Sequence, residues 1–247
     1  AIMWLASHSE GTGGVVRAAG FTPDDVSTPA VHVAIEAYDD IANAIGDTYE
    51  DQGHFFYIIT FPGNGTWAYD ATPTLQGPPE GRWAERGTWI AESAAYVAWR
   101  PMYHAFAFNQ HRVLDRNTGD LYQLTRTTLL DVDGRPLRRL RRPPAIPATE
   151  HRLFIGEFAV GLEAGLGTQT GQGSDPVIAL RISEDSGKTF GNERTRSAGK
   201  VGEYTKRVAW TRCGSARKGS GWQPEVVMTD PIPYNLTGAT VIAREGR

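Results

Sequence analysis

The chain has a single cysteine in 247 residues, Cys213, so it can form no internal disulfide. Neither the disulfide-stapled secreted class nor a Cys-rich zinc module fits it. An excess of one charge is also lacking: 25 Lys and Arg face 28 Asp and Glu, a net charge of −3, whereas a dedicated nucleic-acid binder is strongly basic. No apolar run approaches the roughly 20 residues that span a bilayer. Neither a phosphate-cradling GxxxxGK[ST] loop nor a G-x-S-x-G elbow occurs. The six histidines (His8, His32, His54, His104, His111 and His151) are scattered. His104 and His111 stand seven apart across an expected strand and turn, which gives no metal-ligand spacing. We therefore expect no metal, no cofactor and no catalytic residue.

Glycine and proline are plentiful, 43 of 247 residues, against about 12% in an average domain. Seven Trp, nine Tyr and nine Phe are spread along the chain. Many turns and dispersed aromatics predict a mainly β protein built of short strands. The chain opens on Ala1 and enters an apolar run at once (Ile2-Met3-Trp4-Leu5), from which we expect further sequence before Ala1.

One segment carries a helical pattern. Val31, Ile35, Tyr38, Ala42 and Ile45 are spaced 4, 3, 4 and 3, which predicts one short amphipathic helix over about 28–46. Ser27 is its expected N-cap, Pro29 lies in the first turn, and Gly46 is the expected left-handed C-cap. The rest reads as strands. His54 to Phe61 is followed by the Pro62-Gly63-Asn64-Gly65 turn and by TWAYD at 66–70, and Gly81 to Trp89 and Ala95 to Trp99 come next. HAFAF, HRVLD and LYQL lie between Tyr103 and Leu124, and Asp131 to Gly134 marks a further tight turn. PVIALRI (176–182) and EVVMT (225–229) complete the set.

Strands ending in an acidic turn recur at Asp70 and Asp115. A repeat of about 40–50 residues carrying a few antiparallel strands is the signature of β-propeller blades. We expect blades over about 47–100, 101–160 and 174–247 as part of a larger propeller, with an exposed, mobile glycine-rich loop at 161–173.

The most specific local motif runs from Ser183 to Phe190, SEDSGKTF, and matches the Asp-box S-x-D-x-G-x-T-[FW]. Its Ser183, Asp185 and Thr189 side chains are expected to brace a turn, Gly187 to take the positive φ, and Phe190 to plug the blade edge. Asp-boxes also occur in sialidases. Sialidase chemistry needs an arginine cluster for the substrate carboxylate, which no segment groups recognisably, plus an activated tyrosine and a carboxylic acid, for which Glu193, Glu203 and Tyr204 are the candidates. A carbohydrate-binding propeller would instead line a groove with Trp83, Trp89 or Trp222. Cys213 is expected to be a buried small hydrophobe.

Charge is unevenly placed. Residues 1–53 carry a net charge of −8, residues 112–142 carry +4 and residues 181–218 carry +6. Arg135, Arg138, Arg139, Arg141 and Arg142 crowd into eight positions. Three readings stay open for them: a solvated face, a dock for an acidic partner or a neighbouring copy, and a contact to DNA phosphates. Opposite blocks in one chain suit head-to-tail assembly.

In several segments, taken in order, the chain resembles the packaged-DNA stabilisation or tail hub proteins of short-tailed bacteriophages. These are STPAVHVAIEAYDDIANAI (27–45), GHFFYIITFP with GTWAYD (53–70) and HAFAFNQHRVLDRNTGDLYQL (104–124), then LRISEDSGKTFGNE (180–193), GKVGEYTKRVAWTRCGSAR (199–217) and TDPIPYNLTGA (229–239). The last three are the most distinctive. The resemblance implies a structural virion protein that is no enzyme, made in the host bacterial cytoplasm and built into the phage tail. It implies a homohexameric ring below the portal and its head-to-tail adaptor. Such a ring joins a tail needle or plug and tail spikes or fibres to the particle, and it keeps the packaged genomic DNA in the capsid. This chain is similar to the C-terminal part of such a protein.

Overall fold

The segment with the helical pattern is helical only in its first half. In the computed structural model, which describes residues 2–8, 11–72 and 79–246, helix α1 spans Pro29–Glu36 and buries Val31 and Ile35. Its N-cap is Thr28, whose hydroxyl accepts from the Val31 amide at 3.3 Å. The expected cap, Ser27, instead accepts from the Val15 amide of a neighbouring strand at 2.6 Å. Beyond Ala37 the apolar spacing is met by other geometry. Tyr38 packs its ring 5.0 Å from Phe61 and accepts a 2.9 Å hydrogen bond from the Trp67 indole. Asp40 then closes a turn on the Asn43 amide. Ile45 and Gly46 begin a strand, so Gly46 is no helix cap. A Cβ there would stand 2.9 Å from the Tyr57 hydroxyl, and close approach of that ring is what requires glycine.

The chain forms two compact units, Ala1–Arg126 and Thr127–Arg247. Among the described residues the first holds three antiparallel sheets. Strands β1 (Met3–His8), β2 (Gly11–Ala19) and β3 (Thr22–Asp25) form the first. The second is a meander of β4 (Ile45–Asp51), β5 (His54–Thr60), β6 (Thr66–Asp70), β7 (Trp83–Ile90) and β8 (Ala95–Ala98). The third joins β9 (Pro101–Ala107), β10 (Gln110–Asp115) and β11 (Leu121–Leu124). Within each sheet every strand pairs with its neighbour in sequence. Helix α1 seats Val31 and Ile35 on a core of Tyr57, Ile59, Phe61 and Trp83, and the Trp83 indole donates to the Val26 carbonyl at 2.7 Å.

Both acidic strand ends close the following turn from the side chain. Asp70 accepts from the Thr72 amide at 3.0 Å and Asp115 from the Asn117 amide at 2.8 Å. Asp115 is also buried against Arg100, 2.5 Å away. The two positions are not equivalent in their sheets, however: Asp70 ends the third of five strands and Asp115 the second of three.

The second unit is wired differently. Its strands are β12 (Arg139–Arg141), β13 (Ile146–Ala148), β14 (Leu153–Leu162), β15 (Val177–Ser183) and β16 (Arg194–Ser197), followed by β17 (Val208–Thr211), β18 (Ser215–Ala216), β19 (Ser220–Met228) and β20 (Leu236–Glu245). One sheet has the order β12-β19-β15-β16, with β13 also on β19. The other centres on β14, which pairs with β17, β18 and β20. Phe158 from one sheet meets Trp222 from the other edge-on, with centroids 5.7 Å apart, and Trp210 at 6.1 Å. Trp210, Trp222, Ile178, Leu180 and Cys213 are wholly buried between the sheets, so Cys213 is the expected core hydrophobe.

This architecture differs from the expected blades after residue 100. The sheet begun at Pro101 ends at Leu124, and the expected boundary at 160/161 falls inside β14. From residue 127 onward, strands remote in sequence are interleaved, and local repeats give no sign of this. The glycine-rich stretch also differs from expectation. Ala164, Gly165 and Gly173 are buried, Thr168 N–H donates to the Gly173 carbonyl at 2.9 Å, and Glu163 N–H donates to Asn235 at 3.1 Å.

Candidate docking surface

The turn after β15 is braced by the side chains the motif supplies. The Ser183 hydroxyl, completely buried, donates to Asp185 Oδ1 at 2.6 Å and accepts from the amides of Asp185 (3.3 Å) and Gly187 (2.8 Å). Asp185 in turn accepts from the Thr189 amide at 2.8 Å and the Thr189 hydroxyl at 2.6 Å. Hydrogen bonds from Ser183 and then Thr189 hold the Asp185 carboxyl well below the usual carboxylate range. Gly187 has φ +90°, and a Cβ there would collide with the Gln223 side chain at 2.1 Å.

Phe190 packs against arginine side chains. Its ring lies beneath two guanidinium groups, Arg142 at 4.5 Å and Arg181 at 5.4 Å. Both arginines bond the same carboxylate, Glu225, which is completely buried: Arg142 through Nε and Nη2 to Oε2, and Arg181 through Nη1 to Oε1 at 3.1 Å. The braced turn and the basic segment, separate signals in the sequence, thus meet through Phe190 and Glu225. Nothing in the sequence marks Glu225 apart from its place in an apolar run, where a lone acid requires partners.

The five clustered arginines fall into two groups. Arg139 is half-buried over the Tyr234 ring, donates to the carbonyls of Ile232 (2.6 Å) and Asp230, and has its pKa lowered by burial. Burial pushes the Tyr234 phenol up to about 12. Arg138 faces Glu193 at 3.5 Å, and Arg142 is held by Glu225. These three tie the segment to its own unit. Arg135 and Arg141 form no ion pair among the described residues, and Arg141 is exposed.

The residues named for the alternatives have other partners among the described residues. Glu193 faces Arg138, while Glu203 accepts from the Lys200 amide at 3.0 Å and pairs with Lys206. No hydrogen bond links either acid to Tyr204, which is 72% exposed. Trp83 and Trp222 are each buried in the core of their own unit, and Trp89 lies against Tyr96 at 4.8 Å.

Histidines that the sequence leaves scattered are partly gathered in the first unit. His104 and His111 lie diagonally on the paired strands β9 and β10, two residues apart in register and so on one face, with Nε2 and Nδ1 2.8 Å apart. Burial and the second imidazole lower the His104 pKa. Tyr49 lies 5.4 Å from His104 and carries Arg86 on its ring at 5.3 Å. Close by, a cavity of about 1150 Å³ is lined by Trp4, Tyr49, Phe55 and Phe106 together with Asp47 and Glu50. His54 pairs with Asp70 at 2.7 Å and His32 with Asp25 at 3.1 Å. The His8 side chain lies outside the described residues.

Charge divides with the fold. The first unit contains fifteen Asp and Glu against seven Arg, and the second eighteen Lys and Arg against thirteen acids, giving net charges of −8 and +5.

Comparison with known proteins gives two matching family models. The β-propeller family model of bacteriophage P22 Gp10 matches residues 1–129, and the β-sandwich model of the same protein matches 144–244. No curated protein matches the chain. Among solved structures, an exo-β-1,3-galactanase from Phanerochaete chrysosporium with bound β-1,3-galactotriose is 9% identical. The alignment covers 98% of this chain and 68% of that one at a TM-score of 0.21, too low to argue from.

Proposed function

Because the chain belongs to the bacteriophage P22 Gp10 family, we propose that it is a subunit of a sixfold ring in the phage tail that helps to retain packaged DNA. The observation that carries this reading is the ordered pair of family matches, propeller then sandwich, which together span nearly the whole chain. In this reading the three sheets of the first unit are propeller blades, and the turn at 183–190 is an architectural brace in the second unit. The ring joins the portal side, through a head-to-tail adaptor, to a tail needle or plug and to spikes or fibres. It bears load and performs no chemistry.

The physical properties agree with such a role. A charge of −8 on one unit and +5 on the other suits heterologous contacts, in which one patch of a copy meets a different patch of the next and the rotation closes a ring. Many modest contacts repeated around an axis give strength that one contact cannot. Within the basic segment, Arg135 and Arg141 are available for such contacts or for a DNA phosphate, because Arg138, Arg139 and Arg142 are engaged within the unit.

Quantitative mass spectrometry of purified particles tests the proposal. We expect one copy of this protein for every two portal subunits. Absence from particles overturns it.

A further inference from the structure

The sandwich leaves one long strand almost uncovered. Strand β20 runs for ten residues and pairs only with β14 among the described residues, so its other backbone edge is open. Leu236 and Val241 turn inward onto the core, while the other eight residues are exposed. The run Ala239-Thr240-Val241-Ile242-Ala243 is small or β-branched, uncharged and free of proline. Native sheets usually protect such an edge with charge, a bulge or a covering element.

The outer face of the sheet is hollowed over β14, on the paired side of β20. The pairing of β14 with β20 shifts register between Ile155 and Glu157, and a groove of about 570 Å³ opens there between Phe154, Gly156, Arg212, Ile242 and Arg244. Ile242 stands 61% exposed in its wall. Three guanidinium groups surround the apolar floor. Arg152 and Arg244 lie over the Phe154 ring at 5.3 and 5.7 Å, and Arg212 flanks the groove from a left-handed backbone position, φ +53°. Arg152 is occupied by the Ser215 hydroxyl, whereas Arg212 and Arg244 have no anionic partner among the described residues. The pleat carries Glu245 to the face opposite Arg244, which leaves Arg244 as the one charged residue of β20 on the groove side, while the Glu184 carboxylate is held at the far wall by the Ser215 amide at 2.9 Å.

We propose that β20 and this groove receive an extended acidic segment of a partner protein by strand addition. The open edge supplies main-chain hydrogen bonds. On the groove side, side chains of the added segment pack beside Ile242 and present carboxylates to Arg244 and, across β14, to Arg212, so the pattern recognised is an apolar residue and an acid two positions apart on one face. The inference rests on the second unit alone and stands or falls separately from the tail assignment.

Three capped decapeptides presented to the full chain test it: a Glu–Val peptide of Val-Ser-Glu-Ser repeats, which sets both on one face, a Lys–Val peptide with Lys in place of each Glu, and the Glu–Val peptide with N-methylated amides along one edge. The Glu–Val peptide is expected to bind saturably and to slow amide exchange at 239–243. The Lys–Val peptide and the N-methylated peptide are expected to bind at least tenfold more weakly. The double variant Arg212→Glu with Arg244→Glu should lose tenfold or more in affinity with an unchanged melting temperature. Equal binding of the two charge types, or binding without protection at 239–243, overturns the proposal. So does concentration-dependent protection of 239–243 in the chain alone, which would assign the edge to a second copy.

Discussion

The two units bury comparable aromatic cores but are connected in opposite ways. In the first, strands pair in the order they are made, and each sheet is a run of hairpins. In the second, β19 joins β12 and β15, and β14 is completed by the final strand, β20. The first unit keeps rings at its surface, including Phe106 and Phe108, and hosts the histidine pair. The second draws two tryptophans completely inside and binds its polar interior into braced networks around Asp185 and Glu225. Local wiring tolerates a looser interior, because each hairpin has its own register. Non-local wiring relies on the central packing to hold strands that nothing else brings together.

The largest expected effect follows from that dependence. Trp222→Ala removes a wholly buried ring that touches Phe158 and leaves a cavity between the sheets. We expect it to cost the second unit about 3–5 kcal/mol. Calorimetry should show one of two transitions moving while that of the first unit stays in place. A common shift of all melting would mean that the two cores unfold as one. A smaller loss comes from the brace. Ser183→Ala removes the buried hydroxyl that serves Asp185 and the Gly187 amide, costing about 1–3 kcal/mol, again in the second transition only.

How much could be read from the sequence follows the same division. HFFYIIT, TWAYD, HRVLD and LYQL are visible as strands because alternation and turn residues are local signals, and their sheets are local too. PVIALRI and EVVMT are equally visible, but their order in the sheet is not, because nothing in either segment says that Leu180 will face Val226. The helix is overextended for a related reason. Tyr38 and Ile45 keep the 3.6 period while serving, respectively, a hydrogen bond to Trp67 and a strand. The bracing of the turn at 183–190 is legible, since the bonds among Ser183, Asp185, Gly187 and Thr189 are local, whereas the bond of the Ser186 amide to Gly221 and the arginines over Phe190 are not. The motif's usual home misleads, however, because here it braces the part of the chain that matches a sandwich. The arginine cluster is legible as charge only. That Arg139 and Arg142 are committed to Ile232 and Glu225 is decided by contacts across 83 residues and more.

Acid should separate the units by pH. In the first, His104 has a lowered pKa because burial and then His111 disfavour its charged form. A lowered histidine pKa means that the unfolded chain binds the proton first, so stability is complete above the ordinary value of about 6.5 and declines as pH falls below it. The depressed carboxylates act at lower pH. Asp70 and Asp115, which burial alone would raise, are held down chiefly by Thr72 and Arg100 respectively, and Asp185 is held down by Ser183 and Thr189. Their contributions are complete above the unfolded carboxylate value of about 3.9 and are lost as pH falls through the lower folded values. The second unit has its depressed carboxylate, while its one histidine, His151, is exposed and unpaired among the described residues. On titration from pH 8 to pH 3, the first transition should therefore begin to fall near pH 6.5 and the second only below about pH 4. His104→Asn should remove the early fall and leave the late one. If both transitions begin to fall together near pH 6.5, the difference does not originate in the histidine pair.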